Sequence, residues 1–192
     1  MKNLGEHVQL LEKEDKEIEQ SLTNIIDLPP EVLEVFTEFR TCEFTTLTRK
    51  GTPITWPLDA IIKPPESEQF VFCTSIGLPK KAFNIRRNPH VSFLFSDPTA
   101  SGLEDPPYVL VQGDAEVSDE IHAGFPGTKE MLTELVKRQP AGYMFCGNPM
   151  MRYLMDWYYM RLFIYVTPRR VLWWDHGDFT SEPHELVVDN VG

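Results

Sequence analysis

The sequence predicts a mainly β domain of the α+β class, an antiparallel β-barrel decorated by peripheral helices. Three observations predict it. Six or so runs rich in β-branched and aromatic residues are joined mostly by short turns. Helical patterns stand before, between and after these runs, without the regular alternation that a doubly wound parallel sheet requires. Finally, 192 residues with 42% hydrophobic and 24% charged side chains have the size and composition of one soluble domain with a well-buried core.

The elements follow in chain order. Residues 1–27 read as an N-terminal helical arm, because Leu4, Val8, Leu11, Ile18, Leu22 and Ile25 recur at helical spacings. Asp27 precedes "LPPEVLEVFTEF", whose prolines suit a first helical turn and whose Leu33, Phe36 and Phe39 give an apolar side. "CEFTTLT" and "TPITWPLDAII" then read as two strands around a tight turn with Gly51 at the bend. After the loop "KPPESEQ", "FVFCT" is a strand. "PKKAFNIRR" has helical length and stops at "NP", since a residue before proline avoids helical backbone.

"VSFLFS" is the next strand and "YVLVQGDAEV" a long one, with Gly113 marking a bulge. A helix follows Ser118 or Thr128, burying Met131, Leu132, Leu135 and Val136. "YMFCGNPMMRYLMDWYYM", rich in methionine and aromatics, reads as buried helix packing or a pocket wall. "RLFIYVTPRRVLWW" supplies one or two closing strands broken at Pro168. Residues 28–175 thus form the barrel domain, and 176–192 read as an irregular C-terminal tail.

Composition and motifs remove several function classes. A formal net charge of -11 opposes broad binding to nucleic acid or to an anionic membrane surface. No apolar run approaches the roughly 18 residues of a membrane helix, and the charged N-terminus does not read as a signal peptide. Three widely spaced cysteines, Cys42, Cys73 and Cys146, fit reduced thiols. The expected compartment is therefore the cytoplasm. Neither G-x-G-x-x-G nor G-x-x-x-x-G-K-[ST] occurs. "DHGD" at 175–178 reads as a solvated turn, and no metal site is expected. No nucleophile–base signature is evident.

One segment stands out against this acidity. Lys80, Lys81, Arg86 and Arg87 place four cations within eight residues. A strand ending in Thr74 and Ser75 turns through Gly77 and Pro79 and enters a short helix at Lys80. Free backbone N–H groups, lysine charge and hydroxyl donors at that point suit a phosphate, although a solvated basic helix face reads the same way.

The arrangement "FTTLTRKGTPITWPLDAII", then "KAFNIRRNPHV", then "VQGDAEV" resembles the pyridoxamine 5'-phosphate oxidase-like family of flavin-binding split β-barrels. The likeness covers residues 28 to 117 well and the strands near 161 to 174 loosely. It implies a homodimer holding FMN, or a deazaflavin, at the subunit interface. The phosphate is then expected on Lys81, Thr74 and Ser75, with Lys80 as a further cation. The flavin ring is expected along Thr55, Trp56, Pro57 and Leu58. Gln112 and Trp173, with Trp174, are placed where a second subunit approaches the ring; the alternatives are a solvent-facing glutamine and a core or dimer-interface role for the tryptophans. Asn84 is expected to hold the helix. The implied activity is a flavin-dependent oxidoreductase moving hydride to or from a small organic molecule. The alternative is a flavin- or haem-binding module without turnover. "TWPLDAII" and the C-terminal tail lack the arginines of the vitamin-B6 oxidases, so pyridoxamine phosphate is not the expected substrate.

Overall fold

The computed structural model describes residues 24–122 and 160–188. The expected arm up to residue 23, the helix expected after residue 122 and the Met- and aromatic-rich stretch lie outside the described residues. Asn24 opens a single 3-10 turn, Ile25–Asp27, by accepting the Ile26 N–H on its side chain. Ile25 belongs to the barrel core, so the core begins within what reads as arm in the sequence.

Helix α1 (Pro30–Glu38) starts at Pro30, where a missing N–H costs nothing. It buries Val32, Val35 and Phe36, while Leu33 lies at the margin of the core. Strands β1 (Cys42–Leu47) and β2 (Pro53–Leu58) form the expected hairpin, and Gly51 supplies the positive φ (76°) that the turn demands. Next come β3 (Phe70–Ser75), helix α2 (Lys80–Arg87), β4 (His90–Phe95) and β5 (Tyr108–Val117).

Strand β6 (Arg161–Trp174) runs for 14 residues without a break at Pro168. The register slips there instead: Gln112 faces Arg170 and Gly113 faces Pro168, which leaves Arg169 as the extra residue. The irregularity is opposite Gly113, yet the bulged residue is on β6. Gly113 is there for room, because a Cβ would run into the Thr167 carbonyl.

The tail is not wholly irregular. Strand β7 (His184–Val187) pairs antiparallel with the second half of β6, on the side whose first half pairs with β3. Period-two burial is too weak a signal over four residues to show it in sequence.

All pairings are antiparallel, in the order β2-β1-β4-β5-β6-β3 with β7 on β6. The sheet curls into a split barrel. Its edge strands β2 and β3 form no ladder with each other; the chain after β2 bridges them, with Ile61 N–H donating to the Val71 carbonyl at 2.7 Å. Seven phenylalanines, Phe36, Phe39, Phe44, Phe70, Phe72, Phe93 and Phe95, fill the interior in mutual ring contact.

Candidate functional site

Helix α2 is amphipathic around an unusual residue. Its buried side consists of Lys81, Ala82, Asn84 and Ile85, and Ile85 reaches the core. Asn84 donates to the buried Thr46 hydroxyl at 2.9 Å and accepts from Arg87, while Arg86 donates to the Ser118 carbonyl. Asn84 and Arg86 therefore dock the helix on the barrel, while Arg87 bonds within the helix and holds the Asn84 carboxamide. Asn84 holds the helix, as its position in the motif implies.

Lys81 is only 8% exposed, and its ammonium lies over the Trp56 ring, 5.0 Å from the centroid. Such a contact attracts a cation, more strongly where water is excluded. Burial lowers the Lys81 pKa, with the Cys73 thiol acting in the opposite direction. Among the described residues, no carboxylate lies within ion-pair distance of it. Lys80, the first residue of α2, is exposed. Pro79 caps the helix without a side-chain hydrogen bond, and among the described residues no side chain accepts from the first amides of α2.

The two strand-end hydroxyls are turned to the local backbone. Thr74 donates to the Leu78 carbonyl at 3.2 Å, and the Ser75 hydroxyl accepts the Gly77 N–H at 3.3 Å. Both are buried and shape the turn that delivers Lys80 and Lys81. A second buried cation, Arg161, stands directly across from Ser75 on β6. Together with Lys81 it favours the Cys73 thiolate, although burial dominates and pushes that thiol up. An arginine directly before the run 162–166 is the sequence signal for Arg161, and its pairing with Ser75 and bridge to His122 give it a place.

The expected ring-binding residues divide between the two faces of the sheet. Trp56 and Leu58 pair with Phe44 and Cys42 and share the core face. Thr55 and Pro57 point outward, and the Thr55 hydroxyl meets that of Thr45 at 2.7 Å. Gln112 is outward too. The ladders align Thr55, Thr45, Ser92, Gln112 and Arg170 in one polar row across five strands. Trp173 is separate from both groups. It is 4% exposed, and His184 of β7 stacks on its ring at 5.3 Å with 18° between planes. That face is thus covered within its own chain. Trp174 packs on Phe179. In the "DHGD" turn, Asp175 bonds His184 and His176 pairs with Asp105.

No helix among the described residues is long and apolar enough to cross a membrane. No curated protein matches the chain. A protein from Clostridium acetobutylicum, related to general stress protein 26 of Bacillus subtilis (pyridoxinephosphate oxidase family), shares 13% identity over 84% of this chain and 95% of its own, with a TM-score of 0.53. A pyridoxamine 5'-phosphate oxidase-related, FMN binding protein from Nostoc punctiforme shares 16% identity over 84% and 98%, with a TM-score of 0.50. A heme binding protein from Mycobacterium smegmatis, 16% identical over 83% and 59%, reaches 0.49. At these identities the likeness is one of fold and leaves the cofactor open. The family described as pyridoxamine 5'-phosphate oxidase matches residues 28–173, which span the whole barrel from α1 to Trp173. The chain belongs to the pyridoxamine 5'-phosphate oxidase family.

Proposed function

We propose that the protein is an FMN-dependent oxidoreductase that acts as a homodimer, with the cofactor at the subunit interface. The observation that carries this reading is Lys81, a largely buried ammonium seated on Trp56 with no carboxylate against it among the described residues. A buried charge without an opposite charge is costly, and an anionic ligand removes the cost. The residues present fit a phosphate in part. Lys81, the first amides of α2 and exposed Lys80 offer charge and donors. The Thr74 hydroxyl proton is committed to Leu78, so Thr74 shapes the seat and is not itself a donor to the anion.

When bound, the flavin supplies hydride chemistry at its N5 atom. This chain's residues bind and orient. Lys81 and the α2 amides fix the phosphate end, and the Trp56 side chain and the edge strand β2 offer a flat apolar flank. On the outward face, Thr55 of the edge strand β2 is available to a partner subunit. Pyridoxamine phosphate is not the proposed substrate, because β2 carries no arginine to meet a second phosphate.

The test is a visible spectrum of the purified protein followed by FMN titration. Flavin absorbance is expected, and Lys81→Ala should weaken FMN by about tenfold to a hundredfold, the worth of about 1 to 3 kcal/mol for a charge-assisted bond. An unchanged affinity would remove Lys81 from the site. A haem spectrum, or a colourless protein indifferent to FMN, overturns the proposal.

A further inference from the structure

The outer face of the sheet carries a second cluster, independent of Lys81. Thr45, Leu47, His90, Ser92, Gln112, Asp114 and Arg169 line an open groove of about 700 Å³. That volume falls within the range of small-molecule sites. The bulge on β6 organises it. Ordinary alternation sends successive side chains to opposite faces. Because Arg169 is the extra residue, it and Arg170 both reach outer-face carboxylates, Asp114 and Glu185 respectively. Bulges re-aim a side chain in this way.

The hydrogen bonds leave a directed donor. Asp114 Oδ1 pairs with His90 Nδ1 at 2.7 Å, and Oδ2 accepts from Arg169 Nε at 2.7 Å and contacts Nη2 at 2.6 Å. Both carboxylate oxygens are engaged. Partial burial works against ionisation of Asp114, yet the His90 and Arg169 bonds outweigh it and hold the carboxyl below its usual range. Arg169 has five N–H donors, and these contacts use one side of the fork. The rest of the guanidinium stays available at the end of a floor that offers the Ser92 hydroxyl and the Gln112 carboxamide, directly opposite one another.

We propose that this groove binds a small organic carboxylate, with Arg169 as its anchor. A planar guanidinium matches a carboxylate edge to edge. Leu47 and the methyl group of Thr45 offer contact to an apolar body, which inorganic anions lack. Asp114 and His90 position Arg169 and are not themselves the anion site. The site needs neither flavin nor the Lys81 seat.

Isothermal titration of the full-length protein with benzoate, and separately with inorganic phosphate, tests this. Benzoate is expected to bind saturably and more tightly than phosphate, and Arg169→Gln to weaken it by about tenfold. The FMN titration of Arg169→Gln should be unchanged, and Lys81→Ala should bind benzoate like the parent protein. If Arg169→Gln does not fold, Gln112→Met, which keeps the bulge, should still weaken benzoate several-fold. Absence of saturable benzoate binding, no response to either substitution, or phosphate binding as tightly as benzoate overturns the proposal. A protein that binds benzoate but not FMN fails the flavin reading alone.

Discussion

Lys81 is a largely buried ammonium set against an aromatic ring. The ammonium is kept from water by the helix it belongs to and by Trp56, and its pKa is lowered by that burial. The sign of the pH effect follows. A lowered pKa means that the free protein loses this charge at a lower pH than the ordinary lysine value of about 10.4. FMN affinity should be flat through neutral pH and decline on the alkaline side before an ordinary lysine titrates. The same titration with Lys81→Ala should lack that decline; an identical decline in both proteins would exclude Lys81 as its source. In sequence, only the likeness to the family motif sets Lys81 apart from Lys80. The helical phase, which buries Lys81 with Ala82 and Ile85 and exposes Lys80, gives the physical reason.

Elements were legible in proportion to their length and punctuation. The hairpin of β1 and β2 declared itself through Gly51, α2 through the proline after Asn88, and β5 through its uninterrupted run. Strand β7 did not, because four residues with one buried side chain carry almost no periodicity. Its role is visible in pairing and packing: Leu186 enters the core, His184 lies on Trp173 and bonds Asp175, and Glu185 clamps Arg170 through two hydrogen bonds. Removal of residues 184–192 should therefore uncover Trp173 and strip Leu186 from the core, leaving a folded but less stable barrel. A red shift of tryptophan emission with retained sheet content by circular dichroism is expected. Emission identical to the parent would mean that β7 does not shield that ring. The candidate site was partly legible for the same reason. Trp56 and Lys81 lie 25 positions apart in sequence and meet because α2 packs against β1, the neighbour of β2, which no spacing rule conveys.

At the scale of the molecule, stability is concentrated in the phenylalanine interior. Phe93 touches Phe44, Phe70, Phe72 and Phe95, so it ties β1, β3 and β4 together inside a barrel that has no closing ladder. Phe93→Ala should lower unfolding free energy by about 3 to 5 kcal/mol, measured by denaturant titration; a loss under about 1 kcal/mol would mean that the cavity collapses around the site. The class of fold was readable from strand count and turn chemistry, whereas the division of the expected site residues between two faces was not. It depends on cross-strand register, which brings Thr55, Thr45, Ser92, Gln112 and Arg170 into line. Register also gives Arg169 a meaning separate from its charge. Strand β6 keeps one phase across the slip, because Pro168 opposite Gly113 and Arg170 opposite Gln112 would alternate as direct neighbours. Arg169 is therefore a residue that the ladder does not need. Exchanging its side chain alters one contact, whereas losing the position would close the bulge into a regular ladder and remove the guanidinium that Asp114 holds, with no later residue turned over.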